Sequence, residues 1–412
     1  MNQGTPLADP RADAPARKFL FLQGVASPFF RRLAQTLKRR GHSVIQISFN
    51  GGDALFWLGF GGYHYRGGVE ELDAYLAPLL KRHAITDLVA FGDCRPVHKP
   101  ALELAKAQGV RLHLFEEGYL RPGWITYEPT GINGYTSLPR DAESYDEQSF
   151  HDETPAPGAP PEGLGLRGVY DVAYHIANLV LSPYFHRYQN HRLYRAYQEY
   201  TGWAKRHAKW FDKRRRQRQL KALLQRGNAY FLFPLQLDGD TQITEHSHYN
   251  WVSEVIKDVV TSFATHAPGN TLLLIKRHPL DTGHVDHAAQ IEQMGRELGI
   301  TERLHFFEGG DLETLVQTAL GVVMINSTVG MMTLEMGRPL MALGTAVYKV
   351  PGLIYEGTLD DFWTRGAPPN AALFQRFKRV LISRTQIRGN YYTGPGIATA
   401  LPQVVARLEG IR

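Results

Sequence analysis

Cysteine is almost missing from this chain of 412 residues: Cys94 is the single one. A disulfide framework is therefore excluded, and a reducing compartment is favoured. Long apolar runs are missing as well. No stretch reaches the roughly 20 apolar residues needed to cross a bilayer. The longest, such as LGVVMINSTVGMM at 320–332, are short and interrupted and read as buried strands. The N-terminal MNQGTPLADPRADAPARK lacks the apolar centre of a secretory signal, so residues 1–17 read as a frayed tail. An acidic surplus is also absent. The 46 Lys and Arg outnumber the 40 Asp and Glu, for a net charge of +6. That balance suits an anionic partner, whether nucleic acid, an anionic membrane surface or a phosphorylated substrate, without choosing among them.

What is present is core. With 43% hydrophobic and 11% aromatic residues, the chain is folded over most of its length, and its size predicts two domains. KFLFLQGVASPFFRRLAQTLKRRGHSVIQISF (18–49) reads as strand, loop, helix and strand, with Phe29, Phe30, Leu33 and Leu37 near helical spacing and Gly41 closing the helix. Helix 69–84, strand DLVAFG, helix 98–109 and strand RLHLFEEG follow, an alternation that implies a parallel sheet covered by helices. A Pro/Gly-rich linker and a basic, aromatic helical region occupy 151–226. The alternation then restarts, with strands at NAYFLFPLQ, TLLLIKRHP, RLHFFEG, GVVMINST and PLMALG. The expected architecture is α/β and GT-B-like: two Rossmann-like domains, 18–150 and 227–385, facing across a cleft, and a C-terminal helical tail over 386–412.

Chemistry-bearing residues collect at the predicted strand ends. Glu116 and Glu117 end one strand; their mutual repulsion raises the pKa of at least one, which suits a general base. Lys276, Arg277 and His278 end another, where they can hold a phosphate. Asn326, Ser327 and Thr328 precede a helix, and Asp238 and Asp240 follow a strand. Each motif also has a plain alternative: a charged loop, a surface basic cluster, a Ser/Thr cap, an Asp-Gly turn. Asp93 and His98 read as a helix cap or an acceptor contact, Cys94 as a small buried residue, and KRRRQRQLK (213–221) as a solvated or membrane-facing helix face.

In combination, LQGVASPFFRRLA, FEEGYLRP, PLQLDGDTQI, KRHP and NSTVGMMTLEMGRP resemble the capsule polysaccharide biosynthesis and export family, in its single-module KpsS/LipB branch. The order of motifs is also similar to that of bacterial sialyltransferases using CMP-linked sugars. The resemblance implies a retaining β-Kdo transferase using CMP-Kdo and no metal. Its implied acceptor is a phosphatidylglycerol-type lipid at the inner membrane, where the enzyme would sit peripherally on the cytoplasmic side beside capsule assembly or export proteins. It implies Glu117 as acid/base and Asp240 as nucleophile. His278 would contact the CMP phosphate, Ser327 and Thr328 would help hold it, and Glu335 would bind the ribose. Gln236, Gln242 and Lys276 fall on the donor side, and Gln23, Gly24 and Arg121 on the acceptor side. Many relatives carry Glu-Asp-Gly where this chain has Glu-Glu-Gly. The competing expectations are a transferase for CMP-sialate or a sugar diphosphate, and a non-catalytic assembly or lipid-binding module. The basic residues form no recognised nucleic-acid reader, so nucleic acid is not an expected partner.

Overall fold

A computed structural model of the protein describes residues 16–58, 62–145, 163–190, 201–202, 210–239 and 241–411. The first unit contains β1 (Lys18–Phe21), β2 (Ser43–Ser48), β3 (Tyr63–His64), β4 (Asp87–Phe91), β5 (Arg111–Glu117) and β6 (Trp124–Glu128). The second contains β7 (Tyr230–Pro234), β8 (Leu272–Lys276), β9 (Leu304–Phe307), β10 (Gly321–Met324) and β11 (Leu340–Ala342). A last strand, β12 (Gln386–Arg388), precedes the C-terminal helix.

Both sheets wind the same way. The parallel strands of the first run β3-β2-β1-β4-β5, and the second runs β9-β8-β7-β10-β11. Strands buried on both faces must be apolar almost throughout. DLVAF and YFLFP accordingly have every residue buried. Helices on each face lay down one apolar side. In Phe29–Arg39, Phe29, Phe30, Leu33, Ala34 and Leu37 are buried, while Lys38 and Arg39 complement the negative end of the helix. The expected GT-B-like arrangement of two Rossmann-like units around a cleft is what the chain adopts.

Three short strands were not expected from the sequence. β3 has two residues and β12 three, too few for a periodic signal. β6 runs antiparallel to β5, and β12 antiparallel to β6, so the first sheet gains an antiparallel edge. The helix Ala371–Thr385 leads the chain back, and the segment expected as a C-terminal tail becomes part of the first unit. Its helix, Gly394–Glu409, buries Ile397, Ala400, Val404, Val405 and Leu408 in the same cluster as Phe19, Phe21, Phe29 and Leu33. The Tyr391 ring meets Phe29 edge-on, with centroids 4.9 Å apart. The region between the units is divided. Helix Leu164–Val180 seats on the first unit, whereas helix Trp210–Gln225 packs along β9 of the second, with Arg216 over the Phe306 ring at 5.4 Å.

The returning segment therefore holds up the first unit. Val404 is fully buried, so Val404→Asp would cost roughly 3 kcal/mol or more. Hydrogen exchange should show lost protection in β1 and β5, although the substitution lies near the C-terminus. Unchanged protection there would contradict this placement.

Candidate active site

In wound sheets, ligands sit outside the carboxyl ends of the strands, where the winding reverses direction. In the second unit that point lies between β7 and β10. Gln236 and Asn326 follow those two strands and exchange hydrogen bonds: Gln236 Nε2 donates to Asn326 Oδ1 at 2.9 Å, and the Asn326 N–H donates to Gln236 Oε1 at 3.1 Å. Ser327 and Thr328 come next, Thr328 with no side-chain capping bond. Buried Tyr348 donates to the Ser327 carbonyl at 2.7 Å. A Cβ on Gly330 would stand 2.2 Å from the Tyr348 ring, so only glycine permits this packing. Beyond β8, His278 Nδ1 accepts the Leu280 N–H at 3.1 Å, which puts the proton of the neutral ring on Nε2 as a donor. Its neighbour Arg277 is committed to the scaffold through Glu308 at 2.6 Å and Asp281 at 3.2 Å. Lys276, at the end of β8, is buried.

In the first unit the winding reverses between β1 and β4. Gln23 follows β1 and is fully buried. Its amide nitrogen lies within hydrogen-bond distance of Asp53, Tyr174 and Tyr188 at 3.1, 3.2 and 3.0 Å, where its two N–H groups donate, and its oxygen accepts from Arg95 at 2.9 Å. Gln23 thus knits the strand end, while Gly24 lines a pocket beside it together with Arg95, Arg167, Tyr174 and Tyr392.

Glu116 and Glu117 lie between this pocket and the interdomain cleft and line both. Their environments differ. Glu116 accepts the Glu117 N–H at 3.0 Å, and burial pushes its carboxyl up from 4.5 to about 7, against the pull of that bond and of Arg95. Glu117 accepts from the Tyr392 hydroxyl at 2.6 Å and stands 3.3 Å from Arg167. Burial, first, and the nearby Glu117 charge raise the Tyr392 phenol, so it remains a donor. Tyr391 donates to the Glu116 carbonyl at 2.8 Å. The returning C-terminal segment therefore supplies two tyrosines to the Glu-Glu strand.

The cleft brings together Glu116, Glu117, Tyr119, Arg121 and Asn133 from the first unit with Gln236, His278, Asn326, Ser327 and Thr328 from the second. Carboxylates from one side thus face histidine, amide and hydroxyl donors from the other. That arrangement can bind an anion and move a proton beside it.

Other predicted residues lie elsewhere or beyond description. Glu335 is exposed at the end of helix Val329–Glu335, where Lys378 pairs with it. Gln242 belongs to the short helix Thr241–His246, and Asp240 lies outside the described residues. Asp238 bonds His287 Nε2 at 2.8 Å. His98 occupies the N-cap position of helix Lys99–Ala107, but its side chain makes no capping bond. Asp93 accepts the Ile132 N–H at 2.8 Å, and His98 Nδ1 contacts the Gly92 carbonyl at 2.7 Å. Burial lowers the His98 ring to about 3, so it is neutral and donates from Nδ1. Cys94 is half-buried rather than enclosed. Within the basic run, Leu220 is buried and Arg216 pairs with Glu292 at 3.2 Å, so part of that face belongs to the second unit.

Sequence reasoning did not single out Tyr392, Arg167 or Asn133. Asn133 sits at φ 53°, a left-handed conformation that asparagine tolerates, and the Asn133-Gly134 turn signal in GINGY was there to be read.

The amino-acid sequence has counterparts among known proteins. The family described as capsule polysaccharide biosynthesis protein matches residues 86–392. The chain is 35% identical to the capsule polysaccharide export protein KpsS of Escherichia coli, over 91% of this chain and 97% of that one. It is 31% identical to the capsule polysaccharide modification protein LipB of Neisseria meningitidis, over 92% of each. It belongs to the capsule polysaccharide biosynthesis family. Among solved structures, the Thermosulfurimonas dismutans KpsC β-Kdo 2,7 transferase aligns over 96% of this chain and 100% of its own, at 13% identity and a TM-score of 0.42.

The raised Glu116 carboxyl has a consequence for stability. The native state holds this proton more tightly than the unfolded chain does. Its contribution is therefore complete below about 4.5 and is lost as pH rises through about 7. Glu116→Gln should flatten the fall in urea-unfolding free energy across that window. A slope equal to that of the native sequence would place the proton elsewhere.

Proposed function

We propose that the protein is a glycosyltransferase of capsule polysaccharide biosynthesis that transfers β-Kdo, with retention, from CMP-Kdo to a phosphatidylglycerol-type lipid. The observation that carries this reading is the cleft itself, where Glu116, Glu117 and Arg121 face Gln236, His278, Ser327 and Thr328. CMP is a monophosphate leaving group, so a neutral histidine donating from Nε2 and two hydroxyls suffice to receive its charge without a bridging metal. The motif resemblance supports the donor and acceptor, and the relatives' names support the capsule context.

In this reading the Asp240 carboxylate attacks the anomeric carbon of Kdo as the bond to the CMP phosphate breaks. The acceptor hydroxyl then displaces the carboxylate and gives its proton to a Glu of the Glu-Glu pair. Glu117 holds the family's acid/base position. Glu116 beside it holds a proton near neutral pH, the property an acid/base group needs, so the pair divides the task. Tyr392 and Arg167 fix the Glu117 carboxylate. In the donor subsite, Gln236 and Asn326 set the strand-end geometry, while Lys276 adds positive charge below it.

Glu117→Gln and Asp240→Asn should each lower Kdo transfer by roughly 100-fold or more. On incubation with CMP-Kdo, the Glu117→Gln protein should gain the mass of one Kdo and the Asp240→Asn protein should not. Full activity in both variants would support a non-catalytic assembly role. Strict Mg²⁺ dependence would support a sugar-diphosphate donor.

A further inference from the structure

The helix Leu164–Val180 is amphipathic in the inverted sense. On a helix packed against a water-soluble body, the apolar stripe faces inward. Here the inward side carries the polar groups, along with the Tyr170 and Tyr174 rings that pack on Phe56. Tyr174 is buried and accepts from Asn50 at 2.7 Å, Asn178 accepts the Gly52 N–H at 2.7 Å, and Arg167 and Asp171 line the pocket beside Glu117. The fit is close: a Cβ on Gly51 would stand 2.2 Å from the Ala177 carbonyl oxygen, and one on Gly52 would stand 2.1 Å from the Tyr174 ring. The helix is therefore locked in this rotation.

Its outward side is apolar. Val169, Val172, Ile176, Leu179 and Val180 are 61%, 45%, 57%, 74% and 68% exposed, and the face continues into Tyr184 beyond the helix end. No acidic side chain interrupts it. From Gly163 to Asn190 the only carboxylate is Asp171, on the pocket side. Arg66 stacks over the Tyr184 ring at 4.6 Å, placing a cation at the rim of the apolar face, and the chain as a whole carries +6. A helix of 17 residues spans about 25 Å, a length that lies along a membrane surface. Among the described residues no helix is long and apolar enough to cross one.

We propose that this outward face docks the protein on an anionic lipid bilayer, the helix lying in the plane of the headgroups. The pocket formed by Arg95, Arg167 and Glu117 would then open at the membrane surface. This inference rests on the lipid-acceptor reading above and gives it a direction of approach: the acceptor enters from the first unit's pocket, opposite the donor residues of the second. Burial of five apolar side chains supplies the attraction, and the positive net charge selects anionic headgroups.

The test is flotation of the full chain with vesicles of phosphatidylethanolamine and phosphatidylglycerol, and with vesicles of phosphatidylcholine alone. The native sequence should float with the anionic vesicles. The double variant Ile176→Glu, Leu179→Glu should lose about tenfold or more of that binding at an unchanged melting temperature, whereas Ile176→Leu should keep it. Equal flotation of the double variant, or no flotation of the native sequence, would overturn the proposal. So would a lipid-free dimer that the double variant dissociates, since the face would then join two copies. CMP release from CMP-Kdo with a short-chain, detergent-dispersed acceptor separates the two readings. Docking stands and the transferase reading falls if vesicles bind but neither protein releases CMP. The transferase reading stands and docking falls if both release CMP and both float alike.

Discussion

A small hydrogen-bonded bridge fixes how the two units face each other, and the cleft depends on it. Asn133, from the first unit, accepts the Val347 N–H of the second at 3.0 Å. Arg140 reaches the Ala346 carbonyl of the second unit and also donates to the carbonyls of Asn133 and Gly134 at 3.2 and 3.0 Å. The loop is braced from behind. Tyr119 accepts the Asn133 N–H at 2.6 Å and donates to Glu128 at 2.7 Å. Glu128 is fully buried, and burial raises its carboxyl to about 7. A buried polar network of this kind is specific because each member left unpaired would cost more than its bond contributes. Tyr119 and Asn133 also line the cleft, so the groups that set the spacing of the units belong to the surface a donor would meet.

The two sheets wind alike but their reversal points are furnished differently. Between β7 and β10, a Gln-Asn pair, two hydroxyls and a neighbouring histidine offer donors. Between β1 and β4, Gln23 is consumed by its neighbours, and what faces the pocket is Arg95, Arg167 and the Glu pair. The proposed roles, donor recognition in the second unit and acceptor activation in the first, rest on this difference. The Glu pair borders both spaces.

Much of this was legible in the sequence because buried parallel strands must be apolar and must end in turns. FLFLQG, DLVAFG and GVVMINST announce both their strands and the polar residues that follow them. What was not legible depends on long-range pairing. β12 has three residues, and only its partner β6 makes it a strand, so Tyr391 and Tyr392 could not be placed beside Glu116 and Glu117. The division of the glutamates was likewise hidden. Adjacent carboxylates predict a raised pKa, but burial is the larger cause and decides that Glu116 bears it. The outward face of Leu164–Val180 was unreadable because periodicity reveals an apolar stripe without saying which side the protein occupies.

If the two units present one substrate site between them, a crystal structure with CMP will show its phosphate about 3 Å from His278 Nε2 and the Ser327 or Thr328 hydroxyl, with Glu116 and Glu117 facing the open side. CMP bound against the first unit alone, or away from the cleft, would contradict it.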